Sequence, residues 1–223
     1  MKRFLIFLLL AFVTCKNDGN GSDRNLKTCV NEQQNINFWL MYPWLLNQPQ
    51  SNNIVIGDST MFLAAYTPGW RDTATTQSFA VAGNTICNVI QQLSVISTPA
   101  PQIIIWGTTG GNSLLHGETA YETGEDGQML IQLLLARFPS AKLVAIAIHP
   151  TKQRKFDHIR HQTNLRIFDS LVSIYPMGQW CWIDPEDLFI GKVDNWMFDN
   201  IHYTPLMAMI IKQEIERVCH ISF

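Results

Sequence analysis

Short apolar runs alternate with longer segments of helical spacing, and this alternation restricts the fold more than any other feature of the chain. Five runs rich in Val, Ile or Trp predict buried strands at residues 53–57, 79–82, 103–107, 143–148 and 180–184. The segments with helical spacing are residues 85–93, 127–138, 156–175 and 205–220. Strands that alternate with helices form a parallel sheet covered on both faces. We therefore predict an α/β protein, a three-layer α/β/α sandwich with a five-stranded parallel sheet.

Length and charge limit the domain count and the partners. The 223 residues suit one domain, and 47% hydrophobic residues supply enough apolar surface for its core. The 16 Lys and Arg residues are balanced by 18 Asp and Glu residues, for a formal net charge of −2. Beyond residue 3 the basic residues cluster only in the short stretch 152–155, so a nucleic-acid partner is not expected.

The N-terminal segment has the pattern of an export signal. Lys2 and Arg3 precede the apolar residues 4–13, a run too short to span a bilayer as a helix. Cys15 follows this run and precedes a polar stretch, which resembles the lipidation site of bacterial lipoproteins. We predict a signal peptide over residues 1–14 and a lipidated N-terminus and polar tether over residues 15–50. Plain secretion is the alternative. If Cys15 is lipidated, the exported protein is anchored to a membrane through that lipid.

Polar and glycine residues follow the predicted strands at the points where a parallel sheet binds its ligands. The carboxyl ends of parallel strands meet at one edge of the sheet. Gly57-Asp58-Ser59 follows the first predicted strand, Gly83 follows the second, and Gly110-Gly111-Asn112 comes after the third. Asp199 and His202 lie between the fifth strand and the last helix. These residues are predicted to converge on one site.

A serine, a histidine and an aspartate at one edge are the components of nucleophilic catalysis. A serine hydroxyl attacks a carbonyl only when a neighbouring base takes its proton, and the base needs a partner that sets its tautomer. Asp199 and His202 are three residues apart, so one short loop can supply both the base and its partner. Asp58 is interpreted as structural, accepting backbone N–H groups at the turn.

In order and placement, these motifs resemble those of the SGNH (GDSL) hydrolases, over about residues 54–218. The resemblance implies the strand order 2-1-3-4-5 and a hydrolase domain over residues 51–223. It implies that Ser59 is the nucleophile, His202 the base and Asp199 its acid partner. The oxyanion hole would consist of the Ser59 and Gly83 backbone N–H groups and the Asn112 side chain. The family often has Asp after this Asn, where this chain has Ser113, which predicts a change in local packing.

The function expected from the resemblance is carboxylic ester hydrolysis through an acyl-enzyme, without cofactor or metal. The substrate would be a small-molecule, lipid or glycan ester. The alternatives are transfer of the acyl group to a hydroxyl acceptor and a surface-attached binding module of the same fold that lacks the chemistry. The sequence does not choose the acyl or alcohol group, and it leaves the oligomeric state open.

The remaining cysteines and histidines carry weaker expectations. Four cysteines besides Cys15 form an even set in a compartment that permits disulfides, so at least one disulfide is predicted, with four buried thiols as the alternative. They are Cys29, Cys87, Cys181 and Cys219. The histidines outside the motif are predicted to be surface or hydrogen-bonded residues and not metal ligands: His116, His149, His158, His161 and His220.

Overall fold

Five parallel strands form one sheet in the computed structural model. The structure describes residues 51–65, 76–93, 96, 100–107, 109–189, 193–197 and 199–222. The strands are β1 (Asn53–Gly57), β2 (Thr76–Ser78), β3 (Ile103–Gly107), β4 (Lys142–Ile146) and β5 (Trp180–Ile183). The described helices are α1 (Ser59–Ala65), α2 (Ile86–Leu93), α3 (Thr109–Leu115), α4 (Ala120–Arg137), α5 (Asp157–Ile174), α6 (Glu186–Phe189), α7 (Val193–Trp196) and α8 (Pro205–Cys219). The order of the strands in the sheet is β2-β1-β3-β4-β5, so the predicted architecture and strand order are confirmed.

The two faces of the sheet pack against different helices. Alternate side chains of a strand point to opposite faces, and β3 shows this directly. Its Ile104 and Trp106 pack with α2, α4 and α5, whereas Ile105 packs with α1 and α8. Both faces of the central strands are therefore apolar, which explains why their runs are recognisable in the sequence.

The predictions for the N-terminal segment lie outside the described residues. They are the signal peptide over residues 1–14, lipidation at Cys15, the tether over residues 15–50 and any role of Cys29. Within the described ranges, no helix combines the length and apolar character needed to cross a bilayer.

The predicted position of the second strand is wrong. Residues 79–82 are apolar, but β2 consists of the preceding Thr76, Gln77 and Ser78, all buried at the edge of the sheet. The apolar run continues the hydrogen bonds beyond the strand, since Phe79 N donates to Val55 O. The strand was missed because its buried side chains are polar.

Helix α4 begins earlier than predicted, at Ala120 and not at residue 127. Thr119 and Glu122 form a capping box at its start, a signal that the sequence contains. The two glycines of its first half hid the helix, because glycine disfavours helices in isolation. A Cβ at Gly127 would lie 2.8 Å from Ile167 Cγ1, so the glycine permits α4 to approach α5 closely.

The last helix is predicted correctly at its start and is tied to the sheet at its end. Thr204 caps α8 by accepting from Met207 N, with Pro205 in the first turn. A disulfide joins Cys181 of β5 to Cys219, the last residue of α8. Cys87 is also disulfide-bonded. The prediction of at least one disulfide is confirmed.

Removal of the Cys181–Cys219 disulfide is expected to lower the free energy of unfolding by about 2–4 kcal/mol, since the cross-link restricts a 38-residue separation in the unfolded chain. The variant carries Cys181→Ala and Cys219→Ala, since serine at these positions would bury a hydroxyl group beside α8. Urea unfolding of this variant and of the oxidised parent measures the difference. Equal stabilities, or alkylation of both thiols in the non-reduced parent, would contradict the assignment.

Candidate active site

Ser59 is the first residue of α1 and is separated from the end of β1 by Asp58 alone. Asp58 directs the turn, because its Oδ1 accepts a hydrogen bond of 2.8 Å from Thr60 N, as the sequence interpretation of Asp58 expected. Gly57 is required for the close approach of α1. A Cβ there would lie 2.6 Å from Gly107 O and 2.7 Å from Met61 Cγ. The turn therefore holds Ser59 at the carboxyl end of the sheet.

The structure brings Ser59, His202 and Asp199 into one hydrogen-bonded line. His202 Nε2 lies 2.9 Å from Ser59 Oγ, although the two residues are 143 positions apart in the chain. On the other side of the ring, His202 Nδ1 lies 2.5 Å from Asp199 Oδ2. With the proton on Nδ1, the ring donates to Asp199 and its Nε2 accepts from the serine hydroxyl.

Asp199 also shapes the loop that carries the histidine. Its Oδ1 accepts hydrogen bonds of 2.6 Å from the backbone N–H groups of Ile201 and His202. Burial raises the pKa of Asp199, but the hydrogen bonds from His202 and Ile201 outweigh it and hold the pKa below its ordinary value. The carboxylate is therefore ionised at neutral pH and favours the Nδ1–H tautomer of His202.

Gly83 lies in a turn that is attached to the end of β1. Its φ of 83° is in the left-handed region, which glycine adopts without steric cost. The next residue, Asn84, is buried and donates from Nδ2 to Gly57 O over 3.2 Å. Asn84 was not singled out from the sequence, where it is one asparagine among several with no motif of its own.

Asn112 connects the segments that carry the other two candidate oxyanion donors. Its Nδ2 donates to Asn84 O over 3.0 Å and lies 3.4 Å from Asp58 Oδ2. Asn84 follows Gly83, and Asp58 precedes Ser59. Asn112 belongs to helix α3. The structure thus brings Asn112 next to both segments.

Solved structures with the same architecture share little sequence with the chain. A GDSL-like lipase from Bacteroides thetaiotaomicron superimposes with a TM-score of 0.62 at 14% identity, covering 81% of this chain and 98% of the other. A member of the lipolytic G-D-S-L family from Veillonella parvula gives 0.60 at 12% identity, over 74% and 96%. The chain has the SGNH (GDSL) hydrolase fold. The OSK domain of Drosophila Oskar shares this SGNH fold, with a TM-score of 0.62 at 14% identity over 80% and 96%.

No protein-family model and no curated protein matches the sequence. At these identities the structural likeness concerns the fold. The chemistry of this SGNH-fold protein therefore depends on the residues of its own site.

Ser113 occupies the position after Asn112 where SGNH hydrolases often have Asp. Its side chain is fully buried, and its Oγ accepts from Ile86 N over 3.4 Å at the start of α2. Ser113 thus attaches α3 to α2.

Of the two alternatives predicted for His149, a surface residue or a hydrogen-bonded one, the structure shows the second. The ring is 3% exposed and packs against Tyr203, with the ring centroids 4.4 Å apart. Its Nε2 lies 2.7 Å from Ile201 O and is the nitrogen that donates to this carbonyl, whereas Nδ1 has no hydrogen-bond partner among the described residues. A second bond, from Lys152 N to Asn200 O, attaches the same loop. His149 therefore holds the loop of Asp199 and His202 on the SGNH fold.

His149 is expected to make the fold less stable in acid. Desolvation by burial lowers its pKa from 6.5 to about 4. The neutral ring is favoured in the folded state, so its contribution is complete above pH 6.5 and is lost as the pH falls toward 4. Between pH 7 and 4.5 the loss is roughly 2–3 kcal/mol. Urea unfolding at both pH values should show a smaller loss for His149→Gln; equal losses would exclude His149 as the cause.

Asn112→Ala is expected to lower kcat by about 10²–10³ with KM nearly unchanged, because an oxyanion donor acts mainly when charge develops in the transition state. Asn112→Asp should be at least as damaging, since it places a carboxylate near that charge. Steady-state kinetics with an activated ester gives both constants. In both variants Ser59 should still react slowly with a phosphonate probe, because the nucleophile and the base remain. An unchanged kcat would show that Asn112 is not part of the oxyanion hole.

Proposed function

We propose that the protein hydrolyses carboxylic esters through an acyl-enzyme on Ser59. The observation that carries the proposal is the Ser59–His202–Asp199 line, with 2.9 Å between Oγ and Nε2 and 2.5 Å between Nδ1 and Oδ2. Such an arrangement gives a serine hydroxyl a base and gives the base a defined tautomer. The GDSL-like lipases among the structural neighbours support a hydrolase of this fold.

In the proposed first half-reaction, His202 Nε2 takes the hydroxyl proton while Ser59 Oγ attacks the ester carbonyl carbon. The carbonyl electrons move to the oxygen, which would accept from Ser59 N, Gly83 N and Asn112 Nδ2. When the tetrahedral intermediate collapses, the bond to the alcohol oxygen breaks, and protonated His202 gives its proton to that oxygen. The alcohol leaves, and Ser59 carries the acyl group.

In the second half-reaction a water molecule replaces the alcohol. His202 takes a proton from the water, and the resulting hydroxide attacks the acyl carbon on Ser59. Collapse releases the carboxylic acid and returns the proton to Ser59 Oγ. A hydroxyl acceptor in place of water would give the acyltransferase alternative by the same steps.

The export of the protein is a separate proposal, supported by the residue pattern of the N-terminus. Residues 1–14 would be removed as a signal peptide, and Cys15 would carry the lipid that anchors the domain. Plain secretion would give the same domain without the anchor.

The experiment that tests the function is labelling of the protein with a fluorophosphonate ester, together with hydrolysis of p-nitrophenyl acetate. The proposal expects covalent modification of Ser59, located by peptide mass spectrometry, and turnover of the ester. A catalytically inactive binding module would give neither. Release of p-nitrophenol that rises with added alcohol, and yields a new ester, would favour the acyltransferase.

A further inference from the structure

The chain is held by side chains of α5 at the point where it leaves the sheet after β4. Ala147 N still donates to Ile183 O over 2.9 Å, which continues the pairing of β4 with β5. At the next residue the partner is Asn164, whose Oδ1 accepts from Ile148 N and whose Nδ2 donates to Ile148 O, both over 2.9 Å. Arg160 Nη1 donates to the same carbonyl over 3.2 Å. Helix α5 therefore fixes the backbone at Ile148.

A side-chain amide suits this position because it carries both a donor and an acceptor. Asn164 is 4% exposed, and a buried amide costs free energy unless both of its ends are bonded. Both ends bond to the N–H and C=O groups of one residue, as a residue of an antiparallel strand would. An apolar side chain at position 164 would leave Ile148 N without the bond that Asn164 makes. The position of Ile148 therefore depends on Asn164.

His149, the next residue along the chain, connects Ile148 to the loop that carries His202. Its Nε2 donates to Ile201 O over 2.7 Å, and its ring packs against the ring of Tyr203. Ile201 and Tyr203 flank His202 in the chain. A displacement of Ile148 would therefore reach the base through His149.

The nucleophile and the base are attached to different parts of the sheet. Ser59 follows β1, whereas His149 follows β4, and β3 lies between these two strands. The distance of 2.9 Å between Ser59 Oγ and His202 Nε2 therefore depends on how both segments are fixed. Proton transfer needs this short distance in both half-reactions, and a misplacement of about 1 Å can cost roughly 10²-fold in rate. A side chain far from the serine can thus affect the chemistry.

We propose that Asn164 is a positioning residue for the base His202. It acts through Ile148, His149 and Ile201, which are joined in turn by hydrogen bonds or by the chain itself. The inference rests on the proposed ester hydrolysis. Without the amide of Asn164 the base would lie farther from the serine. The contact between the base and its carboxylate would remain, because it lies within one loop.

The first test measures Asn164→Ala with p-nitrophenyl acetate and with a fluorophosphonate ester. The kcat is expected to fall roughly 10- to 100-fold with KM nearly unchanged, because His202 acts in both half-reactions. The rate of labelling at Ser59 should fall by a similar factor, since the same base activates the serine. Thr163→Ala is the matched control, because this buried neighbour on α5 donates to Ile159 O within its own helix. It loses a buried hydrogen bond but should keep the wild-type kcat.

A second set of variants tests the link at His149. Glutamine has an amide N–H that can donate to Ile201 O, so His149→Gln should keep most of the kcat. His149→Leu has no such donor and should lose about as much kcat as Asn164→Ala. The double variant Asn164→Ala/His149→Leu should lose no more than the larger single effect, because both changes break one chain of contacts. Losses that multiply would show that the two residues act separately, and would overturn the proposal.

The positioning role and the proposed function fail in different ways. If the wild-type protein labels at Ser59 and hydrolyses the ester, the positioning role alone is overturned by an unchanged kcat in folded Asn164→Ala, by an equal loss in Thr163→Ala or by a change confined to KM. A wild-type protein that neither labels nor hydrolyses the ester overturns both. Circular dichroism and urea unfolding check that each variant is folded at the assay temperature, and Asn164→Ser decides if the alanine variant is not.

Discussion

Replacement of Ser59 by alanine is expected to lower ester hydrolysis by at least about 10⁴-fold and to abolish fluorophosphonate labelling. The variant keeps the base and the candidate oxyanion donors but has no oxygen on which an acyl-enzyme can form. Steady-state kinetics with p-nitrophenyl acetate and the mass of the intact labelled protein measure the two effects.

The fold should tolerate the change at Ser59, because truncation of a partly exposed hydroxyl costs roughly 1 kcal/mol or less. Urea unfolding of the variant checks this. Ser173→Ala is the matched control, since this exposed serine donates to Asp169 O within its own helix, away from the site. Turnover by Ser59→Ala above about a tenth of the wild-type rate would exclude this serine as the nucleophile.

Asp199→Asn is expected to lower kcat by about 10⁴-fold while the loop keeps its shape. The amide oxygen can still accept from Ile201 N and His202 N, as Asp199 Oδ1 does at 2.6 Å. The amide nitrogen, however, donates to His202 Nδ1 and so moves the ring proton to Nε2. In that tautomer Nε2 cannot accept the proton of Ser59.

The kinetic constants distinguish this role from a substrate contact. If Asp199→Asn raised KM and left kcat unchanged, the carboxylate would bind substrate instead of orienting the base. Asp169→Asn removes the same charge from an exposed position on α5 and serves as the control. Its kcat should equal that of the wild type.

The accuracy of the fold prediction depended on how apolar each element is. The bounds of β1 and β3 were predicted exactly, because central strands bury both faces and leave an uninterrupted run of Val and Ile. The edge strand β2 buries Thr76, Gln77 and Ser78, so hydropathy pointed to the apolar residues after it. The start of α4 was missed because glycine opposes a helix locally, while close packing against α5 requires it.

The sequence alone predicts which groups reach the carboxyl edge of the sheet. The alternation of strands and helices predicts a parallel sheet, the family resemblance adds the strand order, and the motif residues come after their strands, so Ser59, Gly83 and Asn112 are expected near one another. The hydrogen bond between Asp199 and His202 was predictable from their spacing, because two residues three positions apart in one loop can reach each other.

Only the tertiary structure shows which hydrogen bonds fix the positions of these groups. Three hydrogen bonds join segments that are far apart in the chain. Asn84 donates to Gly57 O across 27 positions, Asn112 Nδ2 to the Asp58 carboxylate across 54, and His149 Nε2 to Ile201 O across 52. Such contacts depend on how helices pack over the sheet, and the local periodicity of a sequence carries no information about distances between segments far apart in the chain.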